Sequence, residues 1–198
     1  EEERELSWSI ASSTVPADEE PKAVSGLVYN GTEQVGVSPS FSSYYTLSGE
    51  KNTAAGTYTA TATLNNPAGF QNCTWSDGST TPRTISYTIS VLTLSRPTAK
   101  TPLHFTGSEQ VGIEDSSSKD YYSLGETNKA TAVGNYTAKA IILEKHRGSC
   151  KWEGESSETV YEIEIPWSIS GKLVEKPIII TSLVYNGENQ VGVIPSVD

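Results

Sequence analysis

The sequence predicts an all-β fold made of tandem β-sandwich units, and three observations carry that expectation. Thr, Ser, Val, Tyr and Gly, which favour strands and tight turns, are prominent, while no stretch keeps an apolar period of 3.6 residues. The run GTYTATATL at 56–64 alternates with a period of two. The chain also repeats itself: LVYNGTEQVGV at 27–37 returns as LHFTGSEQVGI at 103–113 and LVYNGENQVGV at 183–193.

Other landmarks keep the same step. Gly56-Thr57-Tyr58 matches Gly134-Asn135-Tyr136, and Cys73-Thr74-Trp75 matches Cys150-Lys151-Trp152. The triplets Trp8-Ser9-Ile10, Tyr87-Thr88-Ile89 and Trp167-Ser168-Ile169 set a unit of about 80 residues. Boundaries after these triplets give complete repeats at 11–90 and 91–170. Residues 1–10 read as the last strand of a preceding repeat, and 171–198 as the first strands of a following, incomplete one.

Each element follows from local pattern. LVYN and EQVGV are expected to pair across the Asn30-Gly31 turn, and YYTLSG at 44–49 is a further strand. In 56–64 the core face is Tyr58, Ala60, Ala62 and Leu64, with threonines facing water. Closing strands carry Leu6, Trp8 and Ile10, then Ile85, Tyr87 and Ile89, then Ile163, Ile165, Trp167 and Ile169. Asp77-Gly78 signals a type I′ hairpin turn, which needs positive φ at both central residues. Five to seven short antiparallel strands per repeat point to a β-sandwich.

The segment AAGTYTATA resembles a tyrosine corner, in which a Tyr bonds back to the preceding turn; Tyr58 and Tyr136 hold that place. Together with LVYNGTEQVGV, YTLSG, WSDG and ISYTI, it resembles the tandem immunoglobulin-like repeats of bacterial cell-surface and adhesin-like proteins. The resemblance covers essentially the whole chain. It implies immunoglobulin-like modules in an elongated array, without a catalytic centre, acting as an extracellular stalk that spaces an adhesive domain from the cell. Neighbouring repeats are the implied partners. The alternatives are an adhesion module for a host glycan or protein, and a filament subunit that forms a homo-polymer through its open end strands.

A formal net charge of −10 argues against nucleic acid and anionic membrane surfaces as partners, because both recruit basic faces. No apolar run reaches the roughly 18 residues of a spanning helix. No Ser/His/Asp arrangement, phosphate loop or metal-ligand spacing stands out, so neither an enzyme nor a cofactor is expected.

The remaining candidate residues have bland readings. Cys73 and Cys150 hold equivalent places in successive repeats, so they should lie too far apart for a disulfide and are expected as small buried residues. His104 and His146 are unrelated by the repeat and are expected at the surface. The acidic run Ala17-Asp18-Glu19-Glu20 has the hard oxygens that Ca²⁺ needs, but solvated linker charge is the commoner meaning. In the pairs Tyr44-Tyr45 and Tyr121-Tyr122, adjacent strand residues point to opposite faces, leaving one ring of each to stack on a sugar. Lys22, Lys100 and Lys176 keep no fixed register, which argues against a Lys–Asn cross-link. The joints VLTLSRPTAKTP and GKLVEKPIIITS read as extended strands, whereas ASSTVPADEEPKAV reads as a looser linker.

Overall fold

The structure is a computed structural model that describes residues 4, 7, 9, 11–66 and 72–195. The closing strand expected at Leu6 to Ile10 lies outside the described residues. Among these, the regular elements are strands, apart from three single 3-10 turns at Lys119–Tyr121, Glu126–Asn128 and Glu144–His146. The fold is therefore β-rich. The chain divides into two compact units: Glu1–Arg96 with Ser118–Tyr122 and Ile142–Tyr161, and Pro97–Ser117 with Ser123–Ile141 and Glu162–Asp198.

In the first unit the Gly56–Leu64 strand organises a four-stranded sheet. It runs antiparallel to Arg83–Ser90 on one side and to Tyr45–Ser48 on the other, and Leu27–Val28 joins the outer edge parallel to Ile89–Ser90. Alternation places Ala60, Ala62 and Leu64 inside while Thr57, Thr59 and Thr63 stay exposed. The buried face packs with Val15, Tyr45, Cys73 and Trp75. The same logic buries Tyr87 and Ile89 in the closing strand. Shorter ladders complete the repeat: Ser13–Thr14 parallel to Cys73–Thr74, Lys22–Ala23 against Val37–Ser38, and Gln34–Val35 against Lys51–Asn52.

Residues 91–170 reproduce each of these pairings. Leu92–Leu94 lies parallel to Cys150–Trp152, Thr98–Ala99 pairs with Ile113–Glu114, and Gln110–Val111 pairs with Lys129–Ala130. Gly134–Ile142 runs antiparallel to Glu162–Ile169, and His104 bridges Ser170 in parallel. In the second unit this buries Ala138, Ala140, Ile163, Ile165, Trp167 and Ile169. The third copy repeats one ladder, Ile178–Ile179 with Val193–Ile194. A single backbone bond recurs in all three copies: Val24 to Gly36 at 2.9 Å, Lys100 to Gly112 at 2.8 Å and Ile180 to Gly192 at 3.0 Å, the amide donating each time.

Three local expectations are corrected. LVYN and EQVGV do not pair with each other: Leu27–Val28 joins the closing strand and Gln34–Val35 joins Lys51–Asn52. Period-two patterning selects a face, and it leaves the partner open. The Asp77-Gly78 turn is not type I′, because positive φ occurs at Gly78 alone (80°) and at no non-glycine residue among those described. The side chain of Asp77 instead accepts the Ser79 amide at 2.9 Å, an Asx arrangement that relieves Asp77 of the left-handed conformation. Finally, the acidic stretch at 17–20 is not free linker. Glu19 accepts the Ser42 hydroxyl at 2.9 Å, its carbonyl accepts the Tyr45 hydroxyl at 2.8 Å, and Val15 just before it is buried.

Candidate functional site

The repeated undecapeptide builds the structural site from which the rest follows. Asn30 Oδ1 accepts the Thr32 amide at 2.9 Å, and Gly31 takes φ 80°, which reverses the chain. The Gln34 side chain then donates to the Val28 carbonyl at 3.0 Å, closing the loop without a backbone ladder. Gln110 does the same to His104 at 3.0 Å and Gln190 to Val184 at 2.6 Å. Gly36 is required by close approach: a Cβ there would meet Tyr87 Cδ2 at 2.0 Å. At Gly112 it would meet the Trp167 ring at 2.1 Å. The motif glycine is thus the seat of the closing-strand aromatic.

The tyrosines of the corner bond as the resemblance implies. Tyr58 donates to the Ala54 carbonyl at 2.9 Å and Tyr136 to the Ala132 carbonyl at 2.7 Å. Tyr58 also lies beside Tyr87, and Tyr136 stacks on Trp167, with ring centroids 5.5 and 4.6 Å apart.

Within the first unit, the two sequence repeats meet along a seam. Only Val91 separates the Arg83–Ser90 strand from the Leu92–Leu94 strand. Buried Ser149 joins both sides: its carbonyl accepts the Leu92 amide at 3.0 Å and its hydroxyl oxygen accepts the Ala55 amide at 3.0 Å. Beside it, the Tyr29 hydroxyl lies 2.7 Å from His146 Nδ1, and the rings of Tyr29, Tyr121 and His146 form a cluster with centroids 4.9 to 6.5 Å apart. Tyr29 and His146 are 4% and 7% exposed, so the expectation of a surface His146 is corrected. A lone His in a charged stretch reads as solvated, and the Glu144–His146 turn folds it inward instead. His104 is exposed, as expected.

Burial, followed by the nearby Lys145 charge, pushes the His146 imidazole below its usual range, against a hydrogen bond to the Asp120 backbone that favours the cation. Burial, followed by Cys150 and Tyr121, pushes the Tyr29 phenol up. The pair is neutral near pH 7.

The other candidates occupy structural positions. Cys73 and Cys150 are free and buried, and burial pushes the Cys150 thiol up to about 11. Tyr45 and Tyr122 face inward against Trp75 and Trp152; Tyr44 is half-buried against the core, and Tyr121 is engaged in the seam. Rings that do stand exposed are Phe41, at 85%, and Tyr185, at 90%, and alternation flags neither because both sit outside any strand. Glu20 accepts both the hydroxyl and amide of Ser76 and pairs with Arg83 at 3.1 Å; the Ser76 hydrogen bonds, then Arg83, hold its carboxyl below the usual value. Lys22, Lys100 and Lys176 are exposed, where a cross-link chemistry that depends on a buried amine has no footing.

Fold and seam together define a β-rich chain of internally repeated strand units. No protein-family model matches it, and no curated protein or solved structure shows significant similarity to it.

Proposed function

We propose that the chain is a load-bearing segment of an extracellular bacterial surface protein: tandem immunoglobulin-like β-sandwich repeats in an elongated array, acting as a stalk that spaces an adhesive domain from the cell. The observation that carries this reading is the direction of the strands at the two ends of each repeat. Leu27–Val28, near the entry, lies parallel to Ile89–Ser90 at the exit, with the Tyr29 amide bonded to the Ser90 carbonyl at 2.9 Å. In the next repeat His104 parallels Ser170, and Phe105 and Ser170 donate to Ser170 and Leu103 at 2.9 Å each. Tension applied through the chain ends pulls the N-terminal end of one strand and the C-terminal end of the other. In a parallel pair those ends lie at opposite sides, so the bonds are sheared together. An antiparallel pair pulled the same way would unzip bond by bond.

The seam supports the same reading, since a link of one residue reinforced by buried hydrogen bonds makes a stiff joint. Single-molecule pulling of the chain tests the proposal. It predicts discrete force peaks separated by about 80 residues of released chain, roughly 28 nm at about 3.5 Å per residue before the folded length is subtracted. Smooth extension without peaks would refute a load-bearing role.

An adhesive role is the second reading, and exposed Phe41 within the serine-rich SPSFSS segment favours it. Glycan-array binding that disappears in Phe41→Ala would support it; no binding would leave the stalk.

A further inference from the structure

We propose that the seam is a pH-responsive joint, closed by neutral His146 through the Tyr29 hydroxyl and loosened when the imidazole takes up a proton. The device concerns the joint itself and does not depend on the stalk reading.

In the closed joint Nδ1 of the neutral ring stands bare and accepts the Tyr29 proton at 2.7 Å, which leaves the ring N–H on Nε2. A proton arriving at Nδ1 removes that acceptor, so the Tyr29 oxygen keeps the contact only by turning its own proton away and accepting from the ring. It also places a cation in a site lined by the rings of Tyr29 and Tyr121, with Cys150 close to Tyr29. Lys145 on the same turn repels that cation, Asp120 meets the ring through its backbone, and Glu144 begins the turn that carries it. The opposing face of the seam at Gly31 brings no charge: a Cβ placed there would lie 3.7 Å from His146 Cε1.

The sign follows from proton linkage. In an opened joint His146 has its ordinary value of 6.5, and in the closed joint a lower one. The closed state therefore binds fewer protons. Closure is fully favoured above the ordinary value and is lost as pH falls toward the closed-state value. The device belongs to this joint: Phe105 stands where Tyr29 does in the first repeat, lacks the hydroxyl and is 40% exposed.

The test is a ¹⁵N and ¹³C NMR titration of the imidazoles in the whole chain, together with amide exchange at Ala55 and Leu92, corrected for the intrinsic pH dependence. We expect His146 to titrate below its ordinary value, so that the joint opens more readily on the acid side of both values. Exchange at Ala55 and Leu92 should accelerate between about pH 7.5 and 5, while amides of the Gly56–Leu64 strand do not. Tyr29→Phe should move the His146 titration upward, and His146→Gln should abolish the pH dependence at both amides. Titration of His146 at or above its ordinary value overturns the proposal. So does an unchanged or lower titration in Tyr29→Phe, or a wild-type acid response in His146→Gln.

Discussion

Replacing Gly36 by alanine should damage the first repeat far more than a single methyl group ordinarily does. The new Cβ would lie 2.0 to 2.4 Å from three atoms of the Tyr87 ring. The ring cannot simply step aside. Its hydroxyl donates to the Gly49 carbonyl at 2.9 Å and accepts from Asn52 at 3.0 Å, and Tyr58 stands against it. Overpacking costs about 1–3 kcal/mol, and each hydrogen bond broken by a shift of the ring adds roughly 0.5–1.5 kcal/mol. We expect about 3 kcal/mol in all, a fall in Tm of roughly 12–24 °C for a unit of this size. Gly112→Ala should behave alike, because Trp167 is held by its indole bond to the Thr127 carbonyl at 3.0 Å. Gly192→Ala is the control within the same motif: its nearest neighbour is Leu183 Cδ1 at 3.7 Å, and the change should stay within about 0.5 kcal/mol. Gly78→Ala separates space from conformation, since nothing lies within 4 Å but φ is +80°, for a cost of about 1–2 kcal/mol. Urea unfolding followed by intrinsic fluorescence measures all four. In a Tyr87→Leu background the cost of Gly36→Ala should shrink, because the two residues share one space. Equal effects of Gly36→Ala and Gly192→Ala would refute the seat.

The core tryptophans should separate in the same assay. Trp75 donates to the Thr81 carbonyl at 2.8 Å, whereas the buried Trp152 Nε1 has no partner among the described residues, so Trp75→Phe should cost about 1–2 kcal/mol more than Trp152→Phe. Tyr58→Phe and Tyr136→Phe should each lose about 0.5–1.5 kcal/mol, and nearly the same amount, because they break equivalent bonds. Iodoacetamide at about pH 8 should modify Cys150 only as the protein unfolds, since burial moves its thiol from 9.0 to about 11 and cuts the thiolate about a hundredfold. Fast labelling of Cys150 in the native protein would contradict that burial.

Much of the strand pattern was legible because alternation records burial directly. The 56–64, 83–90 and 162–169 segments bury the residues their period selects, and the repeat of about 80 residues reappears as a repeated set of ladders. Pairing was less legible. Leu27 meets Ile89 across more than sixty intervening positions, and nothing in LVYN names that partner over the nearby EQVGV. The glycine of QVG was visible as a motif, but its cause sits on another strand, in the ring of Tyr87 or Trp167. The seam was the least legible. Tyr29, Tyr121 and the pair His146 and Ser149 come from three separate segments, and His146 and Ser149 belong to the stretch EKHRGSC in which the second repeat departs from the first. That departure was the one available signal.

Residual dipolar couplings across the seam test the central claim most directly, that one repeat runs into the next through a stiff, buried joint. Amides of Gly56–Leu64 and Arg83–Ser90 should fit a single alignment tensor together with those of Leu92–Leu94 and Cys150–Trp152 at neutral pH. Two distinct tensors, with scaled-down couplings beyond Val91, would contradict it.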